Sequence, residues 1–388
     1  SLASIWQDIL NIKQVSIQDN FFDLGGHSIL AVRLMANIEK YFGKNLPLVT
    51  LFKAPTIEQL ANILDRSVDS DTWSTVVPIQ PLGSKPPLFL VPGGGGNVIY
   101  YSHLARYFSS DQPFYGLQSI GLDGESEPYT RVEDIAAHNI REIQLIQPQG
   151  PYFLGGHSFG GKVAFEMAQQ LKKQGQEVAL LAIIDTLAPL DDKSQANLFE
   201  DSNNALWLTM ISILLGLFLK KNLVGEDAEA YYKALEPLTP DEQFNYVYDR
   251  LQKMHIFPPG YGIKQLRGYI RVMKAHFTCF YFPEEIYPVQ VTLFCSKNRI
   301  NRENHKFYSD STKLATLVSK SLTGNGILEP SFYPQSMSEL DLGWSSFSTK
   351  PVEIYEIPGD HVSMITEPNV GVLAEKLIAC IEKNTGVA

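Results

Sequence analysis

The pentapeptide Leu-Gly-Gly-His-Ser occurs twice in the chain, at residues 24–28 and 154–158, and the residues after each serine give it a different chemistry. At the second copy the string continues as Gly156-His157-Ser158-Phe159-Gly160, a G-x-S-x-G. Where such a string joins a strand to a helix, the tight turn strains the serine, and the flanking glycines let strand and helix approach. The hydroxyl then stands above a sheet edge, with a helix N-terminus behind it to favour developing negative charge. This is the setting of a nucleophile for acyl transfer; a small-residue turn is the competing reading.

A serine nucleophile of this kind needs an acid and a histidine, in the chain order Ser, acid, His. Asp185 ends the apolar run Val178–Ile184, where its carboxylate lands on the same sheet edge as Ser158. Asp191 and Asp192 are rivals, but they lie beyond Pro189 in a loop that reads as solvated. His361 follows the strand-like Val352–Ile357 and the turn Pro358-Gly359-Asp360. Neighbouring side chains diverge, so Asp360 points away from it. His103, His138, His255, His276 and His305 fall in helical or irregular stretches and read as ordinary surface or core residues. The glycine run Gly93–Gly96 lacks the Lys-Ser/Thr of a phosphate loop and does not fit G-x-G-x-x-G. An oxyanion hole, with one N–H from this loop and one from Phe159, is the better use; a flexible turn is the alternative.

At the first copy Ser28 is followed by Ile29 and Leu30, so the second elbow glycine is missing, and Asp19–Gly26 reads as a loop rather than a strand. A second nucleophile is not expected there. Ser28 opens a helix after two flexible glycines, which suits either an ordinary serine N-cap or the attachment of a phosphate-linked group at a helix N-terminus. On residue chemistry alone the cap is favoured.

These residues need a scaffold. With 388 residues, 44% of them apolar, the chain can bury cores in two or three domains and is not disordered in bulk. A net charge of −10 argues against a nucleic-acid partner, which calls for a basic stripe. Cys279, Cys295 and Cys380 are too far apart for a zinc site or a disulfide framework, and fit a reducing compartment. The longest apolar run, 205–219, is shorter than the roughly 20 residues that span a bilayer and reads as a buried or lid helix, with a membrane-contacting helix as the alternative. The chain opens Ser1-Leu2-Ala3 with no leader and reads as a piece of something longer.

Residues 1–68 carry six acids and six bases, so the whole net charge belongs to residues 69–388. In the N-terminal stretch apolar residues recur at helical spacing: Leu2, Ile5, Trp6, Ile9; then Ala31, Met35, Ile38; then Ile57, Leu60, Leu64, with Thr56 as a cap. Residues 67–85, rich in Ser, Asp, Thr and Pro, read as a linker. Beyond it come strand Leu88–Val91, a helix over 97–108, strand Tyr152–Leu154, helix Phe159–Gln174 and strand Val178–Ile184. This βαβ rhythm predicts a parallel sheet covered on both faces. Residues 190–282 read as a helical insertion. Strands at Val289–Cys295 and Val352–Ile357 and a helix from about Asn369 to Glu382 complete the expectation.

With these motifs in view, residues 1–66 resemble the peptidyl carrier domains of nonribosomal peptide synthetases, on the run Phe22-Asp23-Leu24-Gly25-Gly26-His27-Ser28. The resemblance implies a four-helix bundle with a 4′-phosphopantetheine arm on Ser28, against the cap-only reading. Residues 86–388 resemble the terminal type I thioesterases of such assembly lines, an α/β-hydrolase family, on Gly156–Gly160, Asp185 and Pro358–His361. It implies a Ser158, Asp185, His361 triad, a helical lid over about 190–282, and Gly94 as the second oxyanion donor beside Phe159. The stretch 300–343 is longer than usual for the family. The implied function is that of a cytoplasmic carrier–thioesterase didomain that transfers a peptidyl or acyl chain from Ser28 to Ser158 and releases it by hydrolysis or macrocyclisation. The implied partners are upstream adenylation and condensation domains and a phosphopantetheinyl transferase; no metal, nucleic acid or stable membrane insertion is expected. Two other classes stand beside it: an ordinary carboxylester hydrolase fused to a helical binding domain, and a non-catalytic docking module on a hydrolase scaffold, which the intact triad argues against.

Overall fold

The computed structural model describes residues 1–385 apart from 27, 45, 47–48, 66–72, 190–202, 220–221, 226, 256–261, 287 and 298–340. The N-terminal stretch forms four helices, α1 (Leu2–Leu10), α2 (Ser28–Phe42), α3 (Thr50–Lys53) and α4 (Ile57–Asp65). Their apolar stripes meet in one cluster that includes Ile5, Trp6, Phe21, Leu34, Ile38, Leu51 and Leu60. Trp6 meets Phe21 edge-on at 5.2 Å between ring centres. The Thr56 hydroxyl accepts from the Gln59 N–H while Gln59 reaches back to the Thr56 N–H, a reciprocal cap that starts α4.

The larger unit is a seven-stranded sheet built from β1 (Val76–Gln80), β2 (Leu88–Val91), β3 (Phe114–Leu117), β4 (Tyr152–His157), β5 (Val178–Ile184), β6 (Thr292–Ser296) and β7 (Glu353–Ile357). The strand order is β1-β3-β2-β4-β5-β6-β7, parallel throughout except for β1. Successive side chains of a strand face opposite sides, so each buried strand feeds two cores. Phe89, Val91, Leu181 and Ile183 join a cluster with helices α6 (Val132–Gln144) and α7 (Phe159–Lys173). Leu88, Leu90, Leu180 and Ile184 join the opposite cluster with α5 (Tyr101–Ala105) and the final helix α12 (Val370–Thr385). The architecture is a small helical unit followed by a mostly parallel sheet with helices on both faces, as expected for a carrier-like bundle ahead of an α/β-hydrolase fold.

Between β5 and β6 lie α8 (Asn204–Leu219), α9 (Ala228–Leu235), α10 (Pro240–Lys253) and α11 (Ile263–Thr278). They enclose a core of their own, with Trp207, Ile211, Tyr231, Phe244, Leu251 and Met273. That core accounts for the long apolar run. No helix among the described residues is long and apolar enough to cross a membrane. Parts of two expected features, residues 190–202 of the lid and 300–340 of the long stretch before Gly343, lie outside the described residues, as do 67–72 of the linker.

The structure adds β3 and α6 to the elements read from the sequence, places the strand expected at Val289–Cys295 over Thr292–Ser296, and corrects that reading in three further places. Val76–Gln80, assigned to the linker, is the edge strand β1, paired antiparallel with β3. Its Pro78 makes it read as a linker, yet an edge strand tolerates the missing N–H. The helix expected over 97–108 is only Tyr101–Ala105. Strand β4 runs three residues beyond Leu154, to His157, because Gly155 and Gly156 pair with Ala182 and Ile183 of β5.

Candidate active site

Parallel pairing brings the C-terminal ends of β2, β4 and β5 into register, with Val91 beside Gly156 and Gly156 beside Ile183. Three side chains emerge at this edge. Ser158 sits in the turn between β4 and α7 at φ 56°, ψ −125°, a backbone region that costs an L residue roughly 1–3 kcal/mol. The glycines explain why the turn can be this tight. A Cβ on Gly156 would overlap the Gly160 carbonyl, and one on Gly160 would overlap the carbonyls of Val91 and Pro92.

Asp185 follows β5, also at positive φ (46°), and is 6% exposed. Ser296, the last residue of β6, fixes its carboxylate: the Ser296 N–H donates to Oδ1 at 2.8 Å and the hydroxyl to Oδ2 at 3.0 Å. His361, in the loop after β7, completes the line. Its Nδ1 is 2.8 Å from Asp185 Oδ2 and its Nε2 is 2.9 Å from Ser158 Oγ. A carboxylate only accepts, so Nδ1 carries the proton and Nε2 offers its lone pair to the serine. Asp360 turns away, accepting from the N–H groups of Val362 and Ser363. Asp191 and Asp192 lie outside the described residues.

The glycine run faces this line. The Gly93 N–H is committed to Tyr100 Oη at 2.8 Å, which leaves Gly94 as the next donor along the loop. Gly95 and Gly96 both have positive φ (86° and 69°), which glycine alone adopts without strain. Helix α11 roofs the loop: Met273 and Phe277 lie against Gly94, and Tyr269 against Gly95. Farther along α11, His276 stacks on Phe159 at 4.2 Å and meets Ser119 Oγ through Nε2 at 3.2 Å. Burial pushes its pKa down to about 3, so it is neutral.

His157, the variable residue of the G-x-S-x-G string, has a structural task that sequence reasoning missed. It is 1% exposed, and its Nε2–H donates to the His361 carbonyl at 2.9 Å, which ties the histidine loop to the elbow. Burial, helped by the neighbouring His361, lowers its pKa to about 3 and keeps this link uncharged. No local pattern marks that role, because the bond joins residues 204 positions apart.

Ser28 lies far away in sequence, at the first position of α2. Its backbone therefore stands at a helix N-terminus, where orphan N–H groups suit a phosphate, and no acidic side chain occupies the first turn. These features fit a phosphate-linked arm. Among the described residues no group of three or more His, Cys, Asp or Glu could hold a metal ion.

Comparison with known proteins agrees with this division. Residues 86–381 match the thioesterase domain family and residues 1–64 the phosphopantetheine attachment site. Chondramide synthase of Chondromyces crocatus is 32% identical over 386 residues, covering 97% of this chain and 9% of that protein. A dimodular nonribosomal peptide synthase of Bacillus subtilis is 41% identical over 184 residues, 47% of this chain and 8% of that protein. The chain thus spans less than a tenth of the length of these relatives. The crystal structure of a holo four-domain nonribosomal peptide synthetase bound to AMP and glycine matches all of this chain and 26% of its own, at 28% identity and a TM-score of 0.64.

Proposed function

This chain belongs to the thioesterase domain family, with a phosphopantetheine attachment domain ahead of it, and on that premise we propose that it unloads an assembly line of the nonribosomal peptide synthetase kind. The observation that carries the reading is the hydrogen-bonded line from Ser158 through His361 to Asp185, in one chain with a carrier. The arm on Ser28 supplies the thiol that holds the acyl or peptidyl chain as a thioester.

Ser158 Oγ attacks the thioester carbonyl as its proton passes to His361 Nε2. Asp185 holds the imidazole tautomer and stabilises the imidazolium. The carbonyl π pair moves to oxygen, and the N–H groups of Phe159 and Gly94 hold that oxyanion. Collapse breaks the C–S bond, and His361 returns the proton to the departing sulfur, leaving an ester on Ser158. In the second half His361 takes a proton from water, or from an amine or hydroxyl of the chain itself. The new bond forms as Ser158 Oγ leaves with that proton, releasing an acid or a macrocycle. The roof that α11 makes over the glycine loop acts as a lid and limits how much water competes.

Upstream adenylation and condensation domains, which would build the chain, are supported by the far longer synthetases it resembles. A phosphopantetheinyl transferase would prime Ser28. The three widely spaced cysteines suit a reducing compartment, the cytoplasm.

The test is intact-protein mass spectrometry after incubation with a phosphopantetheinyl transferase and an acyl-coenzyme A. The expected results are a mass gain that Ser28→Ala abolishes and product release that Ser158→Ala abolishes. Hydrolysis of soluble esters with no mass gain at Ser28 would instead identify an ordinary esterase.

A further inference from the structure

The carrier and the sheet unit meet along Val98–Arg106, which begins two residues after the glycine run and includes α5, and along β1, beside which α3 packs while Val49 enters the cluster beneath the sheet. Ile99 is 4% exposed because it packs into the carrier's own cluster, which includes Phe21, Phe22 and Leu51. Phe52 of α3 touches both that cluster and the one beneath the sheet, and it stacks on Phe22 at 5.0 Å between ring centres. At the end of α5 the Arg106 guanidinium donates to the Phe22 carbonyl. The same carbonyl accepts the Gly25 N–H at 3.0 Å, closing the turn that leads into Ser28. The contact therefore grips the carrier on the loop that delivers its attachment serine.

The opposite side of the stretch faces the chemistry. Tyr100, next to Ile99, accepts the Gly93 N–H and lies edge-on to His157 at 6.2 Å. Tyr101 donates to the Val91 carbonyl, just before the glycine run. A carrier seated on Ile99 and Arg106 is thus seated on the residues that hold the oxyanion loop.

From this arrangement we infer that Val98–Arg106 is the receiving surface for this chain's own carrier, read through an apolar patch and the Phe22 carbonyl, and that it delivers the thioester to Ser158. The inference rests on the carrier–thioesterase reading and adds to it the residues that do the recognising. Their chemistry suits the partner. The carrier stretch is electrically balanced, so apolar burial and a donor aimed at a backbone carbonyl recognise it where net-charge attraction would not. Ten residues separate α4 from β1. Short tethers give effective concentrations in the millimolar range, so a small interface of this kind suffices.

The test uses the full chain with Ser28 loaded from an acyl-coenzyme A. Single-turnover transfer to Ser158, followed by peptide mass spectrometry, is compared with hydrolysis of the same acyl group as a soluble N-acetylcysteamine thioester, which needs no carrier. Arg106→Glu should lower the ratio of carrier-borne to soluble rates about tenfold, as expected for the loss of one hydrogen bond from a charged group. Arg106→Lys, which can still donate to the Phe22 carbonyl, should restore most of it. Phe22→Ala should lower the same ratio from the carrier side. An Arg106→Glu ratio equal to wild type would overturn the docking surface, and so would a higher one, since the contact would then park the carrier away from the site. Failure of the unsubstituted chain to take the arm on Ser28, or to acylate Ser158, would instead overturn the carrier–thioesterase reading beneath it.

Discussion

Replacing Asp185 by Asn tests the triad with little disturbance of the fold. Asn tolerates the left-handed backbone at this position (φ 46°), where most other residues would be strained. One fixed donor then decides how the new amide sits, because the Ser296 hydroxyl beside Oδ2 can rotate to accept. The Ser296 N–H, 2.8 Å from Oδ1, requires an acceptor there, so the amide oxygen takes that site and the NH₂ takes the place of Oδ2. That NH₂ now points at His361 Nδ1 from 2.8 Å and can only donate. The imidazole must therefore accept at Nδ1 and carry its proton on Nε2, 2.9 Å from Ser158 Oγ, with no lone pair left to receive the serine proton. The expected loss in acylation rate is about 10³–10⁴-fold, or roughly 4–5.5 kcal/mol of transition-state stabilisation. The melting temperature should move little, since the Ser296 N–H keeps its acceptor. The assay is single-turnover acylation of Ser158 by a soluble thioester near neutral pH, with a thermal melt of the same sample. An Asn variant that melts like wild type and acylates within tenfold of it would refute the tautomer argument.

Three further outcomes come from neighbouring contacts. Gly156→Ala should fail to form the elbow or lose about 3 kcal/mol or more, because its methyl would overlap the Gly160 carbonyl; denaturant unfolding measures this. Tyr100→Phe removes the acceptor of the Gly93 N–H and should cost about 1–3 kcal/mol in stability, with a fall in kcat that exceeds any change in KM, read from steady-state kinetics. Acid should destabilise the fold through His157 and His276, whose folded pKa values are near 3. Above about pH 6.5 neither the folded nor the unfolded state protonates them; below it the unfolded chain gains protons that the folded one refuses, so stability falls with pH down to about 3. Each contributes a slope on the order of 1.4 kcal/mol per pH unit in that window, and His276→Gln should flatten the measured slope by about one proton.

Much of the site is legible in the sequence because its chemistry sits at the ends of elements that local pattern reveals. Ser158 lies between an apolar strand and an amphipathic helix, Asp185 closes the run Val178–Ile184, and His361 follows Val352–Ile357. In a parallel sheet such ends share one edge. Helix α6 is missing from the sequence reading although its apolar residues recur at helical spacing, whereas the edge strand escapes it because its local signal is weak. Strand β1 carries Pro78 and is stabilised only by pairing with β3, itself four residues long.

Residue type, spacing and hydrophobic period point to the serine, the acid and the histidine as candidates and to a parallel sheet covered by helices, because each signal is local; the attachment role of Ser28 and the hydrolase family come only with the resemblance of longer motifs. Contacts between distant residues have no such signal. Ser158 meets His361 across 203 positions, His157 holds the His361 carbonyl, α11 lies on the glycine loop, and Arg106 reaches the Phe22 carbonyl. Such pairs depend on strand register and on how helices seat against the sheet. Those are set by the summed packing of the whole chain, and no local stretch encodes them.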